Sequence, residues 1–163
     1  MKSIFVLILL ILFVCFVPTQ AQKVNLPKDC LKILNKKFRG WKLVKVKEVE
    51  GVLGHNLIKG DWNGDRKTDY AILIEYGKNR LGNGALEPAV WTIAFIKQKS
   101  VYSVHKIDGG DSIFLKKKGN RDYSYDTQKN FIYKNDAIFV AVNWSGSSYI
   151  WGKGRFVGIA TSD

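Results

Sequence analysis

The chain has 163 residues, with 26 lysines and arginines against 14 aspartates and glutamates, which gives a formal net charge of +12. This length suits one domain with a sizeable core rather than several domains. The charge has two interpretations: attraction to anionic partners such as nucleic acid, acidic envelope glycans or lipid headgroups, or solubility alone. The lysines fall singly along strand-like segments, and the only tight run is Lys116 to Lys118, which favours solubility.

Residues 1–21 have the pattern of a cleaved signal peptide. The apolar run from Ile4 to Val17 is about fourteen residues long, short of the roughly 20 that a spanning helix needs. Small residues at Thr19 and Ala21 suit a signal peptidase, so we predict cleavage after Ala21. The expected product is exported, either periplasmic or extracellular, and has no membrane span after cleavage.

Cysteine chemistry is limited by the same cleavage. Loss of Cys15 with the signal leaves Cys30 alone, so no intrachain disulfide can form even in an oxidising compartment. Cys30 falls within the apolar pattern of a helix, and we interpret it as a small buried hydrophobe.

One amphipathic helix is predicted directly after the signal. Pro27 suits a first helical turn, Cys30, Leu34 and Phe38 fall on one side, and Gly40 suits the C-terminus.

From residue 41 onward the hydrophobic period changes to the two-residue period of strands. Segments such as YAILIEY, AVWTIAFIKQ, SVYSVHKI, SIFLKKK, AIFVAVNW and RFVGIAT follow one another, mostly separated by Gly, Asn and Asp. Residues 77–88, GKNRLGNGALEP, read as the longest polar connection. We therefore predict a single α+β domain over residues 22–163, with the N-terminal helix packed on an antiparallel β-meander.

The stretch GDWNGDRKTDYAILI contains the spacing of a calcium loop. Calcium takes about six to eight oxygen ligands, and a short loop supplies them when carboxylates or amides recur at alternate positions. The predicted ligands, at loop positions 1, 3, 5, 7 and 9, are Asp61, Asn63, Asp65, Lys67 through its backbone carbonyl, and Asp69. The sequence thus predicts a structural calcium site, and a metal-free Asx turn is the alternative.

Two residues exclude an EF-hand. Ile72 stands where an EF-hand has its bidentate Glu, and Arg66 stands where it has Gly. The loop instead resembles the Asp-x-Asn/Asp-x-Asp-Gly-x-x-Asp loops of FG-GAP and VCBS-type repeats, although Arg66 departs from their Gly as well. Those loops link strands of β-propeller blades and hold calcium through the positions matched here by Asp61, Asn63, Asp65 and Asp69. A propeller needs several copies and this chain has one, so the resemblance implies the loop and not the propeller.

The chain also resembles a group of small exported bacterial proteins of uncharacterised function. They share a GD-aromatic-NGD...DYA-L loop and a C-terminal stretch like KNDAIFVAVNWSGSSYIWGKGRFVGIATSD. This resemblance implies no activity. The aromatic residues of that stretch are interpreted as cross-strand packing rather than as a ligand platform; they are Trp144, Tyr149, Trp151 and Phe156.

The expected function is a calcium-stabilised binding or interaction module whose partner is an anionic envelope glycan or another protein. The alternative is a secreted or periplasmic hydrolase that acts on envelope glycans through an Asp/Glu pair. Its candidate carboxylates are Asp108, Asp111, Glu75 and Glu87. We favour no catalysis, because IDGGDS has the composition of a turn and His105 lies in a strand-like run without zinc-ligand neighbours. Nucleic acid is not an expected partner, since no RNA- or DNA-binding signature is present.

Overall fold

The computed structural model describes residues 24–46, 48–49, 52–82, 84–143 and 145–161, so the predicted signal peptide lies outside the described residues. Helix α1 spans Lys28–Lys37. The strands are β1 (Lys42–Leu43), β2 (Glu48–Val49), β3 (Val52–Leu53), β4 (Leu57–Gly60), β5 (Asp69–Arg80), β6 (Leu86–Gln98), β7 (Val101–Asp108), β8 (Ser112–Lys116), β9 (Arg121–Ser124), β10 (Lys129–Ile132), β11 (Ala137–Val142), β12 (Ser145–Gly152) and β13 (Arg155–Thr161). Within the described ranges, no helix is long and apolar enough to cross a membrane.

The first sheet is built on the long hairpin of β5 and β6. Its order is β1-β5-β6-β7, with β4 also paired to β5, and every pairing is antiparallel. The run from Ala71 to Ile74 is fully buried at every residue. Because neighbouring strand residues point to opposite faces, a continuous apolar run means that both faces of this sheet are covered.

Helix α1 covers one face of the first sheet. Cys30 and Leu34 are fully buried there, and they pack with Ile72 and Phe95 of the sheet. The helix ends at Lys37, and Phe38 follows as its C-cap, a little before the Gly40 that the sequence indicates.

The second sheet covers the other face of the first. Its order is β10-β9-β13-β12-β11-β8. Ile138 and Val140 of this sheet share one core with Leu73 and Ile96 of the first. The two sheets also meet at a backbone bridge between His55 and Ile113, so the molecule has three layers in the order helix, sheet, sheet.

A polar network within the second sheet links β9 and the residue after β10 to β12 and β13. The Tyr133 hydroxyl lies 2.6 Å from Asp122 Oδ2 and 2.6 Å from Ser148 Oγ. Ser148 in turn lies 3.1 Å from the Thr161 hydroxyl, and Ser148 and Thr161 are both buried. Buried polar side chains are stable when they satisfy one another in this way.

The prediction of an α+β domain with a helix on a single meander is wrong. Strands account for 57% of the structure and helix for 8%, and the strands form two curled antiparallel sheets. The physical reason lies in the apolar runs of β5 and β6, since a strand buried on both faces needs a second covering layer. Residues 77–88 also differ from the predicted connection, because β5 continues to Arg80 and β6 begins at Leu86.

Candidate metal centre

The predicted calcium loop is the connection between β4 and β5. The strands pair up to Gly60 and Asp69, so the loop is the end of a β-hairpin. Trp62 is fully buried and belongs to the core between the two sheets. Its indole N–H has no partner among the described residues, and as a donor it offers no electron pair to a cation. Trp62 therefore anchors the loop through packing.

Side-chain oxygens of the loop accept backbone N–H groups of the same loop. Asp61 accepts from Gly64 at 2.8 Å and from Arg66 at 2.9 Å, one on each carboxylate oxygen. Asn63 Oδ1 accepts from the Asp65 N–H at 3.1 Å. Each of these oxygens keeps a second lone pair beyond the bond it makes.

Two left-handed residues give the loop its path. Gly64 has φ 78° and Arg66 has φ 65°. The backbone of Gly64 also lies close to the Asn135 side chain, since a Cβ at residue 64 would be 2.7 Å from Asn135 Oδ1. Arg66 occupies the position where the calcium loops that this stretch resembles have Gly, and it adopts the conformation that favours Gly. Its left-handed backbone is therefore the one that a Gly at this position would adopt readily.

Asp69 is the buried member of the set. Its Oδ1 accepts the Lys97 N–H at 2.8 Å, its Oδ2 accepts the Trp62 N–H at 3.0 Å, and the residue has no solvent exposure. Burial is the main cause that raises the pKa of Asp69 to about 6; the two hydrogen bonds oppose it, and the charges of Asp65 and Asp61 add to it. Three carboxylates thus act on one another at this end of the sheet.

Asp65 and Lys67 lie on the exposed side of the loop. The Lys67 N–H donates to Asp65 Oδ1 at 3.0 Å, and Lys67 Nζ lies 3.4 Å from Asp65 Oδ2. Burial alone would raise the pKa of Asp65, but hydrogen bonds from Lys67 and Asn63 and the Lys67 charge lower it. Asp65 is therefore held in its ionised form.

Sequence reasoning missed Asp136, which joins the loop to the second sheet. Asp136 Oδ2 accepts the Asp61 N–H at 3.1 Å and lies 3.2 Å from Lys117 Nζ, and Oδ1 accepts the Lys118 N–H at 3.0 Å. Burial would raise the pKa of Asp136, and the two backbone N–H donors and Lys117 lower it. A signal was present: Asp136 directly precedes the buried strand β11, and Asp69 begins the buried strand β5.

The five predicted ligands, four through side chains and Lys67 through its backbone carbonyl, all lie on one hairpin end. Among the described residues, no three His, Cys, Asp or Glu side chains form a group that could hold a metal ion. The donor chemistry and the left-handed backbone at Arg66 fit a calcium loop. The positions of the carboxylates, each bonded to backbone N–H groups, fit an Asx-type turn.

No protein-family model, curated protein or solved structure matches this chain. The resemblance to FG-GAP loops therefore rests on the spacing of the loop alone and stays a prediction.

The carboxylates proposed for hydrolysis are engaged in structural contacts. Asp108 Oδ2 accepts the Tyr149 hydroxyl at 2.6 Å, and Asp111 Oδ2 accepts the Asn143 N–H at 2.7 Å. Asp108 ends β7 and Asp111 lies on the short connection to β8, so the turn that the sequence predicts joins these two strands. Glu75 and Glu87 lie on β5 and β6 within the first sheet, Glu75 opposite Val90 and Glu87 opposite Asn79.

His105 lies against aromatic side chains. Its ring is 4.7 Å from that of Trp151 and 6.0 Å from that of Phe156, edge to face in both cases. Burial is the main cause that lowers the pKa of His105, and its Nε2 lies 3.2 Å from Ser103 Oγ. Trp151 and Phe156 are cross-strand partners, as the packing interpretation predicts; Trp144 lies outside the described residues.

A shallow groove of about 310 Å³ opens where β4 meets β8. It contains no carboxylate; the lining residues are His55, Leu57, Ile58, Lys59, Phe114 and Leu115. The groove therefore does not contain the acid pair that the hydrolase alternative requires.

Cys30 is free and buried, which confirms its interpretation as a small hydrophobe. Burial, together with the charge of Asp29, raises the pKa of Cys30 to about 12. A thiol with that pKa is a poor nucleophile.

Proposed function

We propose that this protein is an exported interaction module in which the loop from Asp61 to Asp69 is a structural calcium site. One observation carries the proposal: Asp61, Asp65 and Asp69 lie on one hairpin end, close enough for the charges of Asp65 and Asp61 to raise the pKa of the buried Asp69. Carboxylates that repel one another at short range form a site that a divalent cation stabilises.

The proposed role of the site is to stiffen the junction of the two sheets. Asp61 is tied to the second sheet through Asp136, and Gly64 lies against Asn135 of the same connection. Trp62 reaches into the core between the sheets. When bound, calcium supplies the positive charge that offsets the mutual repulsion of Asp61, Asp65 and Asp69.

The proposed compartment is outside the cytoplasm. Support comes from the sequence of residues 1–21, with its short apolar run and its small residues before Gln22. Extracellular calcium modules bind at roughly 10⁻⁴ to 10⁻³ M, and such a weak site suits a stabilising rather than a signalling role. The mass of the protein recovered after export by a bacterial host tests the processing, since cleavage after Ala21 predicts a chain that begins at Gln22.

The proposed partner is anionic, because the processed chain keeps a formal net charge of +11 once Lys2 is removed from the +12 of the full chain. An acidic envelope glycan, an acidic protein surface and a lipid headgroup all have this chemistry.

Calcium binding can be measured directly. Terbium replaces calcium in oxygen sites and emits when a nearby indole is excited, and Trp62 is placed beside the loop. We expect terbium emission with the wild type, competition by calcium, and a melting temperature that rises by about 3 to 6 °C at ten times the dissociation constant.

The matched variants are Asp65→Asn and Asp126→Asn. Each replaces an exposed carboxylate that accepts a backbone N–H in a turn, from Lys67 and from Ala160 respectively. Asp65→Asn should abolish terbium emission and the calcium-dependent rise, while Asp126→Asn should keep both. Equal melting temperatures in EDTA and in millimolar calcium would overturn the proposal, and so would equal effects of the two variants.

A further inference from the structure

The hairpin of β5 and β6 ends in an exposed arm. We define the arm as residues 77–82 and 84–88, all of which are exposed. It begins at a register shift between Glu75 and Lys78, where Gly77 has φ 78°. Its tip is closed by a bond of 2.8 Å from the Leu81 N–H to the Ala85 carbonyl. The arm is therefore ordered strand backbone whose side chains have no core to pack against.

The register of the arm separates its side chains into two different faces. Lys78 pairs with Pro88, and Arg80 pairs with Leu86. Directly opposite residues of an antiparallel pair project to the same side. One face thus carries two cations, a proline and a leucine that is 56% exposed, whereas the acidic Glu87 lies on the other face opposite Asn79.

The cations of this face are free of acidic partners. Neither Lys78 nor Arg80 forms an ion pair with any residue in the part of the chain that the structure describes. Exposed aliphatic side chains beside unpaired cations are the combination that binds the surface of an anionic bilayer. A soluble polyanion would use the cations but gain nothing from Leu86.

The arm lies at the far end of the molecule from the calcium loop. β5 begins at Asp69 beside that loop and ends at Arg80, which at about 3.3 Å per residue places the two roughly 35 Å apart.

From these observations we propose that the face formed by Lys78, Arg80, Leu86 and Pro88 docks the protein on an anionic lipid bilayer surface. Leu86 enters the headgroup region, and Lys78 and Arg80 contact lipid phosphates. The lipid surface is thus the partner of the proposed interaction module. The proposal rests on the proposed export, because only an exported chain meets envelope lipids. Calcium binding is a separate property at the opposite end, so the two proposals can fail independently.

Vesicle sedimentation of the processed protein tests the proposal. One vesicle contains phosphatidylglycerol and phosphatidylcholine in equal parts, and the other contains phosphatidylcholine alone, both at about 0.1 M salt. The test variant is Arg80→Gln with Leu86→Ser. The matched control is Lys129→Gln with Ile132→Ser, which removes an exposed cation and a 54% exposed aliphatic side chain from β10.

We expect the wild type to bind the anionic vesicles and not the neutral ones. The arm variant should lose affinity by about tenfold or more, since one cation and one inserted aliphatic side chain each contribute on the order of a factor of five or more. The control should change affinity by less than about twofold. Equal losses in the two double variants would overturn the proposal. Binding of the single variant Leu86→Ser as tight as that of the wild type would also overturn it, because the contact would then be purely electrostatic and Leu86 would not insert. Unchanged melting temperatures of the variants establish that folding is intact.

Discussion

Replacing Asp136 with alanine should uncouple the calcium loop from the second sheet. The carboxylate is 8% exposed and is the common acceptor for the backbone N–H groups of Asp61 and Lys118 and for Lys117 Nζ. Asp136→Ala leaves two backbone donors without that acceptor. The variant therefore removes contacts between loop and sheet without changing a predicted calcium ligand.

The magnitude follows from the three donors. An orphaned, partly buried backbone N–H costs about 1–3 kcal/mol. The Lys117 side chain is 61% exposed, so its loss adds about 0–1 kcal/mol after solvent screening. Two such groups and Lys117 together set a range of about 2–7 kcal/mol. Because Asp61 is half-buried and Lys118 is exposed, water can reach the freed N–H groups, and we expect a loss of about 2–4 kcal/mol in the free energy of unfolding. Asp126→Ala, which removes one acceptor from the Ala160 N–H in an exposed turn, should cost about 1 kcal/mol or less.

Urea unfolding followed by tryptophan fluorescence measures both variants. The hydrogen bonds and Lys117 lower the pKa of Asp136 below its ordinary 3.8 despite burial. A lowered folded pKa means that the stabilisation is present above pH 3.8 and is lost as the pH falls through the folded pKa. The difference between wild type and Asp136→Ala should therefore shrink in strong acid. A loss at pH 7 no larger than that of Asp126→Ala would refute the coupling through Asp136.

Two further predictions concern the loop itself. In EDTA, the stability advantage of wild type over Asp69→Asn should fall by up to about 3 kcal/mol between pH 4 and pH 7. Burial raises the folded pKa of Asp69 to about 6, so the folded state holds the proton more tightly than the unfolded state. Urea titrations measure the difference in the free energy of unfolding, and a difference that stays constant between pH 4 and pH 7 would contradict this. Arg66→Gly and Lys153→Gly each relieve a left-handed residue, at φ 65° and 51°, and both should stabilise the protein by about 0.5–1 kcal/mol. Only Arg66→Gly should also tighten terbium binding, because it removes a cation beside the carboxylates; equal terbium titrations of the two variants would argue against a cation site.

Much of the local structure could be predicted from the sequence because it depends on near neighbours. The helix at Lys28–Lys37 follows from the spacing of Cys30, Leu34 and Phe38. The strand segments follow from two-residue alternation or, in β5 and β6, from short apolar runs between turn residues. The turn at Asp108 to Asp111 and the burial of Cys30 also follow from local composition. In each case the deciding interactions lie within a few residues along the chain.

The spacing of Asp61, Asn63, Asp65 and Asp69 likewise placed the candidate site on one hairpin end. The spacing could not predict how deeply each residue is buried. Asp69 is buried under Lys97 and Trp62, while Asp65 is exposed, and this difference pushes their pKa values in opposite directions. Depth depends on which segments of the folded chain cover a residue.

The second sheet and its contacts were decided only by tertiary structure. Alternation shows that a strand has a buried face, but it does not say which distant strands cover that face. Asp136 meets the Asp61 N–H across 75 positions of the chain, and Tyr149 meets Asp108 across 41. The sequence by itself determined the helix and strand segments and the residue types of the loop. Long-range packing decided the layering, the burial of Asp69 and the link to Asp136. The sequence could not decide these features, because many strand pairings satisfy the same local pattern.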